Sequence, residues 1–190
     1  MRTTLTLICL LLLSQLTMAG KKSLLDKDGV ELFKSDKVYT LVNLHPDEAR
    51  GLLYSTNYQL PSLLPRCTKV ELKKISKKGL VFFVPDRGRE YIYKYVPKHS
   101  IDSVQIHLQD FFGSKCNPND IKKMSKADQE GIKQGTPVMG MSKKGVLMAM
   151  GRPPKHANPT LDSNTWTYWR NKFGQRVVTF DSKGKVSHIQ

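Results

Sequence analysis

Residues 140–189 have the sequence GMSKKGVLMAMGRPPKHANPTLDSNTWTYWRNKFGQRVVTFDSKGKVSHI, which predicts one helix followed by a three-stranded meander. Ser142 is the expected N-cap of the helix, because its hydroxyl can accept a hydrogen bond from an unpaired backbone N–H. A capping box has Glu three residues further on, but here that position is Gly145, so we expect an incomplete cap. Gly151, with two prolines shortly after it, ends the helix.

The strands are predicted by alternation of residue type. In the segment TWTYWRN, Trp166 and Tyr168 fall on one face of a strand, and Thr167 and Trp169 fall on the other. Large aromatic side chains that share a strand face are usually buried, so we expect Trp166 and Tyr168 in the core. For Trp169 the pattern leaves two alternatives, exposure at a contact surface or burial under the N-terminal half of the chain. The segments RVVTFD and KVSHI supply the next strands, with DSKG as the turn between them.

A binding surface is predicted at the hairpin that follows Trp169. Arg170, Lys172 and Phe173 place two cations and a second aromatic ring beside the tryptophan. Trp and Arg contribute most of the binding energy in many interfaces. We therefore predict that Trp169, Arg170, Lys172 and Phe173 form a contact surface for a partner.

This C-terminal third of the chain resembles the small domain of the SmpA/OmlA (BamE-like) outer-membrane assembly lipoproteins. The resemblance rests on GMSK before the helix, MGRPP after it, the pair Trp166 and Tyr168, and TFDSKGKV at residues 179–186. It implies an α-α-β-β-β domain over residues 117–190, with two helices packed on a three-stranded antiparallel sheet. It also implies a non-catalytic role in envelope assembly. The same small fold resembles the repeats of secreted β-lactamase inhibitors, so a soluble inhibitor or ligand-binding module is the alternative function.

The first of those two helices is predicted from the residues expected at its two ends. Asn117 followed by Pro118 is typical of an N-cap with proline in the first helical position, and Gly135 is the expected stop. Gly131 within this segment weakens the helical pattern.

Residues 1–19 have the pattern of a signal peptide. Arg2 is followed by the short apolar run LTLICLLLL, and Thr17-Met18-Ala19 supplies a small residue at the cleavage position, so we predict a cut after Ala19. An uncleaved anchor is the alternative. The lipoproteins named above carry lipid on a Cys at the cleavage site, but the early Cys here is Cys9, within the apolar run. We therefore expect a periplasmic or secreted protein that is not a lipoprotein.

The charge of the chain is strongly positive. Its 190 residues include 31 Lys and Arg against 16 Asp and Glu, a net charge of +15. An exported protein meets few nucleic acids, but it meets anionic lipids and other envelope polymers, which attract dispersed lysines over long range. We expect partners among envelope proteins or anionic envelope surfaces, with peripheral contact to the membrane and no nucleic acid. The alternative is that the charge serves only solubility.

Two cysteines remain after the predicted cut. Cys67 and Cys116 form an even pair in an exported chain, which favours a disulfide bond, although two buried free thiols are the alternative. Neither belongs to a CxxC motif, so redox catalysis is not expected.

The N-terminal half is predicted to be rich in strands. Residues 20–37 are polar and form a predicted mobile arm, although their few apolar side chains could dock. Residues 38–116 form a predicted β-rich, barrel-like domain, whose segment LLPRCTKV loosely resembles bacterial SH3-like barrels. A helix from Ser100 to Phe112 closes this domain, so the fold class of the whole chain is α+β. The predicted strands of the domain are VYTLVNL, TKVELKKI, GLVFFV and REYIYKYV.

The sequence offers few candidates for chemistry. His45 precedes Asp47 and Glu48, and a histidine beside carboxylates could act in acid–base catalysis, so an envelope hydrolase is a distant alternative. More often such a cluster begins a loop or helix, and no nucleophile motif accompanies it. The histidines are scattered without HxH or HExxH spacing, and no phosphate-binding glycine motif occurs. We therefore predict no enzyme activity, no metal and no cofactor.

Overall fold

The computed structural model describes residues 23–190. Over these residues the fold is α+β, as predicted. The predicted signal peptide 1–19 and its cut after Ala19 lie outside the described residues. The predicted domain boundary between residues 116 and 117 stays a prediction.

The N-terminal half contains a four-stranded sheet and a two-stranded sheet. The four-stranded sheet has the order β2-β5-β4-β3, in which β2 runs parallel to β5 and the other pairs are antiparallel. Strands β2 and β3 are open edges, so the described residues form no closed barrel, and the barrel-like form expected for this part is replaced by an open sheet. The strands are β1 (Tyr39–Thr40), β2 (Leu52–Tyr54), β3 (Glu71–Ser76), β4 (Gly79–Val84), β5 (Arg89–Lys94) and β6 (Phe112–Gly113), of which β1 and β6 pair separately.

One face of this sheet supplies a core. Phe82 on β4 lies opposite Tyr91 on β5, and both side chains are fully buried, as alternation requires for residues on the same face. Phe82 packs edge-on against Phe112, with ring centroids 5.2 Å apart. Tyr93 contacts Phe111 at 5.5 Å. The predicted strands GLVFFV and REYIYKYV are therefore confirmed, together with their aromatic face.

The helix predicted over residues 100–112 is much shorter in the structure. Helix α1 spans Val104–Leu108, and Ser103 is its cap, accepting a hydrogen bond from Ile106 N–H. Ser100, the expected cap, lies 3.0 Å from the Ser55 hydroxyl instead. Phe112 leaves the helix because β6 pairs with β1 and buries it. Tertiary pairing thus overrides the local helical pattern.

The segment 23–37 is docked on the N-terminal core, which is the alternative to a mobile arm that the sequence leaves open. Leu24 and Leu32 are buried in the N-terminal core, and Leu32 N–H donates to the Leu24 carbonyl at 2.8 Å. Asp26 ties the segment to the chain beyond β6, because its carboxylate accepts hydrogen bonds from the backbone and hydroxyl of Ser114. Burial of the two leucines stabilises the docked segment, although the composition of the segment is mostly polar.

Cys67 and Cys116 lie at disulfide-bonding distance, with Cα atoms 5.3 Å apart. The pair connects the segment before β3 to the segment after β6, across a separation of 49 residues. The geometry accordingly agrees with the predicted pairing.

The C-terminal half contains two helices followed by three strands in the antiparallel order β7-β8-β9, as predicted. The segment after Asn117 differs from the prediction, because it forms a separate 3₁₀ helix and α2 begins at its own cap, Ser125. A side chain in place of Gly131 would collide with the Met141 sulfur, so this glycine allows close packing. The elements are α2 (Lys126–Gln134), α3 (Lys143–Met150), β7 (Thr165–Trp169), β8 (Gln175–Phe180) and β9 (Val186–Ile189).

The two halves meet at the C-terminal end of α3. The last four carbonyls of a helix lack partners within it. Here the N-terminal half supplies them: Asn43 N–H donates to the Met148 carbonyl at 2.9 Å, and Asn57 Nδ2 donates to the Met150 carbonyl at 2.7 Å. These polar contacts fix the segment around Asn57 against the end of α3, beside the loop that leads to the candidate site.

Candidate binding site around Trp169

Strand β7 places its three large aromatic residues as alternation predicts. Trp166 and Tyr168 are fully buried in the C-terminal core, whereas Trp169 lies on the opposite face and is half-buried. The Trp169 carbonyl accepts a hydrogen bond from Gln59 N–H at 2.8 Å, and Tyr58 forms a parallel bridge with it. The N-terminal half therefore covers part of Trp169 and leaves the rest accessible.

A cleft of about 160 Å³ opens beside this tryptophan. Four separate parts of the chain build it: the segment after β2, the 3₁₀ helix Pro97–His99, the loop after α3, and the end of β7 with its turn. Burial of Trp166 and Tyr168 on the core side holds β7 in register, so the position of Trp169 is fixed by its neighbours. The cleft is lined by Thr56, Tyr58, His99, His156, Trp169 and Lys172.

Two histidine rings contact each other in the cleft at a tilted angle. The rings of His99 and His156 have centroids 4.6 Å apart, and the His156 ring lies 5.2 Å from the Trp169 ring. His156 Nδ1 is 3.1 Å from the His99 carbonyl oxygen, which fixes the orientation of the ring. Desolvation, His156 and Lys98 all lower the pKa of His99, because each disfavours a positive charge there. Among residues 23–190, no carboxylate lines the cleft, and Lys172 is a cation in its lining.

The hairpin residues extend this site outward. Phe173 is 86% exposed at the turn between β7 and β8, and Lys172 Nζ lies 4.9 Å from the centroid of its ring. Arg170 is also exposed. Of the four residues that the sequence predicts as a contact surface, Trp169 and Lys172 line the cleft, while Arg170 and Phe173 lie on the turn beside it. We call these four residues with His99 and His156 the aromatic–cationic patch.

Sequence reasoning missed Tyr58, His99 and His156. These residues lie far from Trp169 along the chain and belong to no recognisable motif. The nearest signal is the position of His156 shortly after MGRPP, where the chain must turn before β7. Their convergence depends on the polar junction at the end of α3, which periodicity does not reveal.

The cluster at His45 does not form an acid–base pair. Burial lowers the pKa of His45, and its ring nitrogens lie 3.3 Å from the Leu60 carbonyl and 3.2 Å from the Ala149 carbonyl. Asp47 pairs with Arg50 at 3.4 Å. Glu48 accepts a hydrogen bond from the Tyr91 hydroxyl at 2.8 Å. The geometry that the hydrolase alternative requires is thus not present at these three residues.

Across residues 23–190, histidine, cysteine and carboxylate side chains nowhere gather in a group suited to a metal ion. In that same part of the chain, none of the helices has the length and apolar character needed to cross a membrane.

Comparison of the chain with protein-family models, with curated proteins and with solved structures finds no match.

Proposed function

We propose that this chain is a non-enzymatic exported protein that acts in assembly or maintenance of the cell envelope by attaching to an anionic envelope surface. Three observations support the proposal. The N-terminal sequence has the pattern of a signal peptide, the two cysteines lie at disulfide-bonding distance, and the C-terminal sequence resembles envelope assembly proteins. Disulfides persist mainly in exported proteins, so the second observation fits the first.

The observation that carries the proposal is the exposure of Phe173 among cations. A phenylalanine that is 86% exposed leaves a large apolar ring in water. Single exposed apolar residues are common, so the cations beside this ring are what give it significance. Arg170 and Lys172 are its exposed neighbours in sequence. An aromatic ring flanked by cations suits the boundary between anionic headgroups and acyl chains, where the ring is buried and the cations meet phosphate.

The cleft provides the second part of the attachment. Trp169 is amphipathic, with a large ring and one N–H, and such side chains favour the interface between water and lipid. His99 faces the same opening, and its lowered pKa means that it gains a positive charge only at a pH below the ordinary histidine range.

Sedimentation with lipid vesicles tests the proposal. The purified protein should bind vesicles that contain phosphatidylglycerol and should not bind vesicles of phosphatidylcholine alone. Binding should weaken as salt shortens the Debye length from about 10 Å at 0.1 M to about 3 Å at 1 M. Absence of binding to anionic vesicles at low salt would contradict the proposal. Crosslinking in intact cells then distinguishes the two kinds of partner. Capture of an envelope protein would indicate a protein partner, which is the alternative to a lipid surface.

Export is tested separately by the intact mass of the protein recovered from the cell envelope. The mass should correspond to a chain that begins at Gly20 and carries no acyl group. An added acyl mass, or a chain that retains residues 1–19, would contradict this part of the proposal.

A further inference from the structure

The four-stranded sheet has a second face, opposite the one that supplies the N-terminal core. Residues that are partners in the strand register share a face of a sheet, so Ile92 on β5 lies beside Leu52 on β2 and Val81 on β4. Phe83 follows Val81 by two residues on β4 and points to the same side. None of these four side chains belongs to the N-terminal or the C-terminal core. We call the surface that they form the outer face.

The centre of the outer face is open to solvent. Ile92 is 47% exposed, and its three apolar neighbours on this face are partly exposed. Single exposed apolar side chains are common, but here neighbouring ones form a row across three strands. A continuous apolar surface of this kind is typical of an interaction site.

Lysines occupy one end of the outer face. Lys94 on β5 lies opposite Gly79, where β4 begins. The turn before Gly79 carries Lys77 and Lys78, and Lys74 on β3 lies at the end of the apolar row. All four lysines are exposed, and within residues 23–190 they form no ion pair. This end of the face is therefore strongly positive.

The opposite end of the outer face is acidic. Glu90 on β5 lies opposite Phe83, and Asp86 follows in the connection between β4 and β5. Both carboxylates are exposed and form no ion pair in the part of the chain that the structure describes. The cations at this end are already paired with other carboxylates, in the pairs Lys73–Glu71, Arg87–Glu48 and Arg89–Glu48.

Ile92 lies midway between the two kinds of charge, because Glu90 is two residues before it and Lys94 is two residues after it on one strand. A second copy whose β5 runs in the opposite direction would place Ile92 against Ile92. It would also place Glu90 of each copy against Lys94 of the other. A two-fold axis across the strands produces this self-complementary arrangement. Copies aligned in the same direction would instead place lysine against lysine, which is unfavourable.

We propose that the outer face binds a second copy of this chain, in an antiparallel, face-to-face dimer centred on Ile92. Two sheets pack in this way about 10 Å apart. The face covers on the order of 400 Å², about half of the roughly 800 Å² that each partner buries in a standard interface. We therefore expect a weak dimer, with a dissociation constant on the order of 100 µM.

An anionic membrane fits the outer face less well than a second copy does, because it would repel Glu90 and Asp86. The inference does not rest on the envelope attachment proposed above, since the outer face and the aromatic–cationic patch have no residue in common.

Sedimentation equilibrium of the purified protein from about 1 µM to about 1 mM tests the inference. The apparent mass should rise from that of the monomer toward that of a dimer. Ile92→Thr should weaken association at least about tenfold, because each dimer loses two apolar side chains. Threonine suits a strand and leaves the net charge unchanged. Ile101→Thr, at an isoleucine that is 66% exposed outside the sheet, is the matched control and should change association by less than about twofold.

Exchange of the charges tests the orientation of the two copies. Glu90→Lys and Lys94→Glu should each weaken association, because each places like charges face to face, and the double variant should restore it. General repulsion between two basic molecules predicts the opposite for Lys94→Glu, which lowers the net charge and would then strengthen association. Thermal melting checks that every variant is folded, and the variants at three sequence changes keep the test valid if one of them is not.

A protein that stays monomeric at all these concentrations would overturn the inference. Association that Ile92→Thr leaves unchanged, or that Lys94→Glu strengthens, would also overturn it. Weaker binding of Ile92→Thr to vesicles containing phosphatidylglycerol, without weaker self-association, would assign the outer face to a membrane instead of a second copy.

Discussion

The carboxylate of Asp128, on α2, accepts hydrogen bonds from both the backbone N–H and the hydroxyl of Ser142, at 2.7 and 2.9 Å. Ser142 caps α3, and the sequence places Gly145 where a capping box has Glu. Asp128, on a neighbouring helix, accepts the hydrogen bond from the Ser142 N–H that a Glu at position 145 would accept. Gly145 is required for this arrangement, because a side chain there would collide with the Asp128 carboxylate.

Asp128→Asn should therefore destabilise the protein by about 1–3 kcal/mol, because the amide keeps only one of the two oxygens that accept from Ser142 and Ser125 and removes the negative charge from these bonds. The measurement is the free energy of unfolding in urea. Glu130→Gln, an exposed acid on the same helix, is the matched control and should change stability by less than about 0.5 kcal/mol. Equal effects of the two substitutions would show that Asp128 does not complete the cap.

The end of α3 and the meander were predicted correctly because their signals are local. Ser142, Gly151 and the alternation around Trp166 act within a few residues, where periodicity and capping rules apply. The open four-stranded sheet was not predictable in this way. Its parallel pairing of Leu52 with Ile92 joins segments far apart in sequence, and no local pattern specifies it.

The candidate-site residues also fall into two groups: those that the local sequence reveals and those that only tertiary contacts bring together. Trp169, Arg170, Lys172 and Phe173 are adjacent in sequence, so their chemistry is visible as a cluster. His99 and His156 become neighbours only through tertiary contacts, such as those of Asn57 with the end of α3 and of Lys155 with Asp102. Ser100 does not cap the helix, as the sequence predicts, for a related reason. Its hydroxyl forms a tertiary hydrogen bond with the Ser55 hydroxyl instead.

His107 should make stability depend on pH in the mildly acidic range. Burial lowers its pKa to about 4, and its Nε2 lies 2.8 Å from the Tyr93 hydroxyl. Because the pKa is lower in the folded protein than in the unfolded chain, where it is about 6.5, the unfolded chain binds the additional proton between these values. Stability is complete above about pH 6.5 and falls as the pH decreases toward 4.

Between pH 7 and pH 5 the loss from His107 should be on the order of 2 kcal/mol. Urea unfolding at the two pH values measures it. His107→Gln should remove this part of the pH dependence and leave the part that comes from His45 and His99, whose pKa values are also lowered. His188→Gln, at an exposed histidine, is the control and should leave the part from His107 in place. An unchanged pH dependence in His107→Gln would contradict the assignment.

The Cys67–Cys116 pair should be oxidised in the exported protein. Labelling of free thiols after denaturation without a reductant should detect none, and two labelled thiols per chain would contradict the pairing. Cys67→Ser and Cys116→Ser should each lower the free energy of unfolding by roughly 2–4 kcal/mol, because the bond no longer restricts the unfolded chain.

Trp166 and Trp169 should differ in their effects on stability. Trp166 is fully buried, so Trp166→Ala should cost roughly 3–5 kcal/mol, through lost burial and the cavity left behind. Trp169 is half-buried, so Trp169→Ala should cost about 1 kcal/mol. Thermal melting of both variants checks the difference, and equal losses would place Trp169 in the core and remove it from the contact surface.

Attachment to an anionic surface is tested most directly by comparing two exposed apolar residues in one vesicle-binding experiment. Phe173 belongs to the aromatic–cationic patch, and Ile106 on α1, which is 54% exposed, does not. Both variants to alanine should melt like the unaltered protein, because neither side chain is buried. With vesicles containing phosphatidylglycerol at low salt, Phe173→Ala should weaken binding about tenfold, and Ile106→Ala should leave it within about twofold. Equal binding by the unaltered protein and Phe173→Ala would contradict the proposed attachment through this patch.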